Sequence, residues 1–259
     1  MTAVVLSGPD SVATFDPEDG GRLTSFRVHG HELLLTEGAD LWHWGSFVIA
    51  PWTGRLRNAA LRAGDEVHTF PATSGPHALH GLVTNRAWRS TGDGKLSIEL
   101  PQPWPWPGRV VQMTRLFEGG VEFGIEVHAD QPMPAAAGWH PWFARRVAGA
   151  ELELDASPGR MWGNDATGLP TGELVEPAEH PWDYCFRELA ADPVVRWPGV
   201  LKLTVSSTCA DWVIYDAEDA GVCVEPWTDP PNSVNMQLTR IVTPGDPLIA
   251  TMTWRWQIG

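Results

Sequence analysis

Hydrophobic and polar residues alternate with a period of two along much of the chain, and no long stretch has a helical period. The clearest alternating stretches are 22–28, 95–100, 121–127, 152–155, 201–205 and 248–258. Because successive side chains of a strand point to opposite faces, this pattern predicts half-buried antiparallel strands.

Glycine and proline, 26 and 23 residues, are spread along the chain as turn residues and are not gathered into a linker. Glu118-Gly119 predicts a tight turn between two strands. The one segment predicted to form a helical turn is Asp183–Leu189. No repeat or low-complexity tract divides the sequence. We therefore expect one all-β domain over residues 1–259, a large sandwich of antiparallel sheets.

The composition limits the classes of partner. An apolar fraction of 43% is ordinary for a soluble globular protein, and a net charge of −14 disfavours binding to nucleic acid or to anionic membranes. The sequence contains no apolar run long enough to span a membrane. The N-terminus lacks the basic and apolar regions of a signal peptide, so we expect a cytoplasmic protein.

Cysteine and tryptophan usage adds two expectations. Three widely spaced cysteines, Cys185, Cys209 and Cys223, fit reduced thiols better than a disulfide framework and do not match a zinc motif. Tryptophan is abundant, with 15 residues against 2 tyrosines. Flat indole rings suit both a β core and the C–H faces of sugar rings.

The sequence lacks the common catalytic and phosphate-binding motifs. Two histidine pairs, His29 with His31 and His77 with His80, have spacings that a metal site uses. No third ligand lies near either pair in sequence, so we predict turn or surface histidines without a metal.

Two isolated titratable residues have more specific surroundings. His140 lies between Trp139 and Pro141, and the proline restricts its backbone to an extended form. Glu225 ends an apolar strand and precedes a rigid, proline-rich segment. His140 is either a proton donor in a partly dry cavity or a structural histidine among aromatic rings. Glu225 is either solvated or turned into a cleft, where burial raises its pKa toward that of a general base.

Five segments in sequence order resemble the aldose 1-epimerase (galactose mutarotase) family. They are Ala50-Pro51-Trp52-Thr53-Gly54-Arg55, Leu79-His80-Gly81, Gly138-Trp139-His140-Pro141-Trp142-Phe143, Trp182-Asp183-Tyr184-Cys185-Phe186 and Val224-Glu225-Pro226-Trp227. Gly20-Gly21-Arg22-Leu23 also fits the opening of the family's N-terminal strand. The resemblance implies a galactose mutarotase-like supersandwich.

The resemblance also implies roles for five residues. It makes Glu225 the catalytic base and His140 the catalytic acid of an isomerase that interconverts the α and β anomers of a free hexose. It implies sugar binding by Arg55, His80 and Asp183, and we add Trp142 and Trp227 as sugar-binding aromatics. Such a reaction moves only protons, so we expect no cofactor and no metal.

Three other functions stay open at this point. A hexose-6-phosphate 1-epimerase needs a cationic phosphate site, for which Arg55, Arg57, Arg145 and Arg146 are candidates. A glycoside hydrolase needs two carboxylates, for which Glu225 and Asp229 are candidates. A non-catalytic carbohydrate-binding protein needs neither a cationic phosphate site nor a pair of catalytic carboxylates. The sequence also leaves the oligomeric state open between monomer and homodimer.

Overall fold

The computed structural model describes residues 2–259, and this part of the chain folds almost entirely into β-strands. One short 3₁₀ turn, Arg57–Ala59, is the only helical element of the described chain. No helix among these residues is long and apolar enough to cross a membrane. The prediction of an all-β protein is therefore confirmed.

In chain order the strands are β1 (Val4–Ser7), β2 (Ser11–Asp16), β3 (Arg22–Val28), β4 (His31–Glu32), β5 (Ser46–Ile49), β6 (Arg55–Leu56), β7 (Ala60–Ala63), β8 (Glu66–Thr69), β9 (Ala78–Leu79), β10 (Arg89–Gly92), β11 (Lys95–Glu99), β12 (Gly108–Phe117), β13 (Gly120–Ala129), β14 (Met133–Pro134), β15 (Gly138–Ala144), β16 (Arg146–Val147), β17 (Ala150–Glu151), β18 (Glu153–Asp155), β19 (Pro158–Asn164), β20 (Pro170–Val175), β21 (Asp183–Leu189), β22 (Val194–Trp197), β23 (Leu201–Ser207), β24 (Asp211–Tyr215), β25 (Gly221–Trp227), β26 (Ile241–Val242) and β27 (Leu248–Ile258).

Two antiparallel sheets account for most of these strands. The first, of eleven strands, has the order β1-β2-β3-β5-β15-β25-β24-β21-β19-β20, with β4 added beside β3. The second, of eight strands, has the order β10-β11-β12-β13-β27-β23-β22-β18. We call them the large sheet and the second sheet. The expected antiparallel sandwich is confirmed.

The main core lies between the two sheets. Phe26 and Phe143 of the large sheet contact Trp254 of the second sheet, with ring centroids 5.2 and 5.0 Å apart. Phe123 packs on the same indole at 4.8 Å. Along β27 buried and more exposed side chains alternate, as the sequence pattern predicts. Each large side chain removed from water here stabilises the fold by about 1.5–3 kcal/mol.

The large sheet is buried on both faces near its centre. All seven residues of β25 are buried. Val222 and Val224 belong to the main core, so Cys223 and Glu225 point to the opposite face. A second apolar cluster lies on that opposite face and includes Phe47 and Trp227. Loops cover this face, and they enclose the cavity described below.

The helical turn predicted at Asp183–Leu189 is wrong. This segment is β21, and it pairs with both β19 and β24. Buried pairing on two sides outweighs the weak local helix preference of a seven-residue segment. The turn at Glu118-Gly119 is confirmed, because it joins β12 to β13 and Gly119 has a positive φ of 70°.

Candidate functional site

A cavity of about 310 Å³ opens on the loop-covered face of the large sheet. It brings together all seven residues that the sequence analysis singled out for catalysis or sugar binding. They come from segments spread over more than half of the chain: Arg55, His80, His140, Trp142, Asp183, Glu225 and Trp227. The structure therefore gathers these side chains in one place.

His140 and Glu225 face each other at the base of this cavity. They lie on the neighbouring strands β15 and β25, whose register pairs Gly138 with Trp227 and Trp142 with Cys223. Counting two residues inward from either of these pairs places His140 directly opposite Glu225. Their Nε2 and Oε2 atoms are 3.5 Å apart. The spacing of the strands, and not a loop, sets this separation.

Both members of the pair are almost completely buried, with 7% of His140 and 1% of Glu225 exposed. The imidazole of His140 lies between the rings of Phe47 and Trp142, with centroids 4.8 and 5.6 Å away. Neither His140 Nδ1 nor Glu225 Oε2 has a hydrogen-bond partner in the described chain. Little around the pair therefore replaces the water that a charge would need.

Desolvation moves the two pKa values in opposite directions. Burial, followed by electrostatic interaction with His80 and His43, holds the pKa of His140 well below its ordinary value. Burial, followed by the negative charge of Asp183, holds the pKa of Glu225 well above its ordinary value. These directions favour a neutral carboxylic acid beside a neutral imidazole. The sequence analysis assigned the opposite charge state, with Glu225 as base and His140 as acid.

His80 is held in the cavity by an unusual backbone conformation. Its φ is 57°, and its amide donates a hydrogen bond to the carbonyl of Gly54. Gly81 follows with a φ of 72°, and a Cβ there would lie 1.9 Å from the carbonyl oxygen of Ala50. Burial, helped by Arg55, lowers the pKa of His80 to about 3. The ring is thus neutral, and its Nδ1 has no partner in the described chain.

Arg55 is the only Lys or Arg side chain that lines the cavity in the described part of the chain. The other three arginines considered for a phosphate site lie elsewhere. Arg57 pairs with Asp165 at 2.7 Å, Arg145 donates to backbone carbonyls of Asp216 and Glu218, and Arg146 is exposed on β16. Of the four arginines, only Arg55 therefore lines the cavity.

Asp183 and the two predicted tryptophans complete the cavity walls. Asp183 begins β21 and pairs with Tyr215 of β24, which also lines the cavity. The indole of Trp142 donates to the carbonyl of Trp42 at 2.6 Å. The indole of Trp227 donates to a backbone carbonyl at 3.3 Å. These hydrogen bonds fix both indoles in the cavity wall.

The sequence analysis missed Trp42 and His43, which reach the cavity from the loop between β4 and β5. His43 Nδ1 lies 2.6 Å from a carboxylate oxygen of Asp40. The buried guanidinium of Arg22 holds this loop by donating to the carbonyls of Leu41 and Trp44. The sequence Trp42-His43-Trp44, rich in aromatics before a glycine, was the available signal.

The predicted histidine pair His77 and His80 does not converge on one point. His77 Nδ1 accepts a hydrogen bond from the amide of Asn58, and His77 does not line the cavity. The structure instead groups His140, Cys223 and Glu225, whose potential ligand atoms lie within 4.8 Å of one another. Widely spaced cysteines gave no hint of this cluster. All three cysteines are free and buried.

Asp229, the second carboxylate considered for glycoside hydrolysis, does not line the cavity. It accepts a hydrogen bond from the Thr228 hydroxyl, and burial raises the pKa of Asp229 to about 6. Glu225 and Asp229 are therefore not a facing pair of carboxylates.

A family model described as aldose 1-epimerase matches residues 4–247. The chain belongs to the aldose 1-epimerase family. Solved structures agree in fold. A putative aldose 1-epimerase from Escherichia coli K12 is 17% identical and aligns with a TM-score of 0.84 over 100% of this chain and 99% of its own. A galactose mutarotase-like protein from Clostridium acetobutylicum is 17% identical, with a TM-score of 0.86 over 99% and 95%.

Galactose 1-epimerase from Lactobacillus acidophilus NCFM is 16% identical and has a TM-score of 0.80, covering 99% of this chain and 94% of its own. No match is found among curated proteins. At these identities the solved structures establish the supersandwich fold of this aldose 1-epimerase family member.

The close contact of Gly138 with Trp227 gives a test of the cavity's geometry. A Cβ on Gly138 would lie 2.4 Å from Cδ1 of Trp227. We expect Gly138→Ala to displace the indole and to lower the free energy of unfolding by about 1–3 kcal/mol. Urea unfolding followed by circular dichroism measures this change. Gly163→Ala, whose Cβ would meet no atom closer than Val175 Cγ1 at 3.2 Å, is the matched control. Equal stabilities for both variants would show that Gly138 is not needed for close packing.

Proposed function

We propose that this protein is an active aldose 1-epimerase that interconverts the α and β anomers of a free, neutral hexose. The observation that carries the proposal is the buried pair of His140 and Glu225, 3.5 Å apart at the base of the cavity. An acid and a base held within reach of the same sugar are what the reaction requires. Membership of the family supports the reaction class.

In the proposed mechanism the hydroxyl group at C1 of the sugar gives its proton to Glu225, while the ring oxygen receives a proton from His140. The ring opens to the aldehyde, the C1–C2 bond rotates, and reclosure returns both protons. Atoms and charges balance without oxidation or reduction. Two groups with separated pKa values are sufficient for this chemistry.

The pair carries one proton in this mechanism, and the sugar decides where that proton lies. Without a sugar, burial favours the proton on Glu225. Glu225 Oε2 lacks a hydrogen-bond partner. When the C1 hydroxyl donates to this oxygen, it stabilises the carboxylate, and the proton passes to His140. The roles of base and acid therefore begin once the sugar is bound.

Neighbouring side chains support the sugar and the developing charge. His80, a neutral imidazole with an unpartnered Nδ1, and Arg55 supply hydrogen bonds to sugar oxygens. The faces of Trp42, Trp142 and Trp227 suit the C–H faces of a pyranose. Asp183 accepts from sugar hydroxyls at the cavity rim.

A neutral sugar fits the charge of the cavity better than a phosphorylated one. Arg55 is the only cationic Lys or Arg among the described lining residues, and Asp183 and Glu225 add carboxyl groups. A phosphate group carries nearly two negative charges and favours several cationic donors. A non-catalytic binding protein would have no use for two buried titratable groups without hydrogen-bond partners.

Polarimetry of freshly dissolved sugars tests the proposal directly. We expect the protein to accelerate the mutarotation of α-glucose or α-galactose, and glucose 6-phosphate to react at least about tenfold more slowly. Galactose belongs in the panel because a structural relative is named galactose 1-epimerase. No acceleration with any free aldose would contradict the activity, and a preference for the phosphate would contradict the substrate class.

Glu225→Gln tests the proposed base. The amide keeps the shape of the side chain but cannot accept the C1 proton, so we expect the rate to fall by about 10²–10⁴-fold with the fold intact. Asp229→Asn is the matched control, since it alters a half-buried carboxylate four residues away that does not line the cavity. Comparable activities of the two variants in polarimetry would remove Glu225 from the mechanism.

The pH dependence of kcat/KM tests whether the active pair of His140 and Glu225 carries one proton. The active form carries one proton, so acid inactivates by adding a second proton and alkali by removing the last one. Because burial lowers the pKa of His140 and raises the pKa of Glu225, the acid limb shifts below the ordinary histidine value and the alkaline limb shifts above the ordinary carboxyl value. We expect an acid limb well below about 6.5, the ordinary value for histidine. An acid limb centred near 6.5 would contradict a desolvated pair.

A further inference from the structure

The group of His140, Cys223 and Glu225 has a geometry that acid–base chemistry alone does not use. The three side chains point to the same face of β15 and β25, and each is at least nine-tenths buried. One potential ligand atom from each lies within 4.8 Å of the other two. The reaction proposed above needs the histidine and the glutamate but gives no role to the thiol.

The distance between His140 and Glu225 suits two ligands of one metal ion. At 3.5 Å, Nε2 and Oε2 are too far apart for a good hydrogen bond. Two ligands that bind zinc at about 2.0–2.2 Å with a tetrahedral angle are separated by about 3.4 Å. Glu225 Oε2 is buried and has no partner in the described chain, so its lone pairs are free for a cation.

Cys223 supplies a ligand that selects for a soft cation. Burial raises the pKa of its thiol well above the ordinary value, so the unbound cysteine is protonated. A metal ion displaces such a proton when it binds. A thiolate and a carboxylate together cancel the two positive charges of the ion, which a dry site requires. Nitrogen, sulfur and oxygen donors favour zinc over magnesium or calcium.

We propose that His140, Cys223 and Glu225 form a binding site for one thiophilic divalent cation, with zinc as its model. The thiol Sγ needs to move by at most about 1 Å to reach a common centre, because zinc–sulfur bonds are about 2.3 Å long. Three protein ligands leave a fourth position, as in zinc sites that bind water or substrate, and two of the ligands, His140 and Glu225, line the cavity. Protons from the thiol and from the pair leave to solvent.

A cation at this site blocks the reaction, because it occupies both His140 and Glu225. This consequence rests on the proposed function, whereas the binding itself does not. The site therefore makes the protein an epimerase that soft metal ions inhibit in competition with sugar.

Metal binding is measured on the full-length protein after chelator treatment and buffer exchange. Zinc is titrated in competition with a chromophoric chelator, and cobalt is titrated while its absorption is recorded. We expect one zinc per chain and a near-ultraviolet thiolate-to-cobalt charge-transfer band. Cys223→Ser should bind zinc at least about tenfold more weakly, since even outer partners of metal ligands contribute about 10–100-fold, and should lack the band. Cys209→Ser, which alters a buried thiol outside the cluster, should behave as wild type.

Circular dichroism confirms that each variant is folded before binding is compared. No zinc binding by wild type, or equal binding by Cys223→Ser, would overturn the site. A cobalt complex without the thiolate band would also overturn it, because Cys223 would not be a ligand.

Measurements of epimerase activity distinguish failure of the metal-site proposal from failure of the proposed function. With galactose or glucose in polarimetry, zinc should lower the wild-type rate at least about tenfold, less so as sugar is raised, and a chelator should restore it. Inhibition of Cys223→Ser, relative to its own zinc-free rate, should need at least about tenfold more zinc. Zinc binding without any epimerase activity would reject the proposed function alone. If the active enzyme binds zinc but is not inhibited by it, the proposed competition between zinc and sugar is wrong.

Discussion

The desolvation of His140 and Glu225 is the constraint on which the rest of this site depends. A buried charge is costly unless it is paired and hydrogen-bonded, and each unit of pKa shift corresponds to about 1.4 kcal/mol. Here both side chains lose water, and neither receives a full set of partners from the protein. The pair therefore stays neutral by sharing one proton, and that proton is available to a substrate that restores the missing hydrogen bonds.

The architecture explains how such a pair is held. His140 and Glu225 lie on adjacent central strands of the large sheet, so the backbone ladder fixes their separation. On the opposite face of β25, Val222 and Val224 pack into the main core between the sheets. The strand thus cannot shift without disrupting that core. Loops then close the remaining face, and Arg22 fastens the one that carries Trp42 and His43.

Much of the fold could be predicted from alternation, because a half-buried strand has apolar residues on one face and polar residues on the other. The stretch 248–258 became β27 with the predicted boundaries. Asp183–Leu189 was misjudged because its strand form depends on partners on both sides, which local sequence does not contain. The segments that resemble the family supplied residues that meet in one cavity, although nothing local to each segment shows that they meet.

The parts that could not be predicted depend on three-dimensional packing. Trp42 and His43 lie in a loop without periodicity, so only their composition gave a signal. Cys223 lies 83 residues after His140, and only the register of two strands brings them together. The charge state of the sugar-free pair depends on burial, and the sequence shows a carboxylate and an imidazole but not the loss of water around both.

The most direct test of the shared proton is a difference infrared spectrum between wild type and Glu225→Gln at neutral pH, without sugar. Glu225 as a buried carboxylic acid predicts a protonated carboxyl C=O band in wild type that the variant lacks. Adding a sugar that binds should weaken this band as the proton moves to His140. A carboxylate band for Glu225 in the sugar-free protein would contradict the neutral pair, and with it the account of how burial prepares the site.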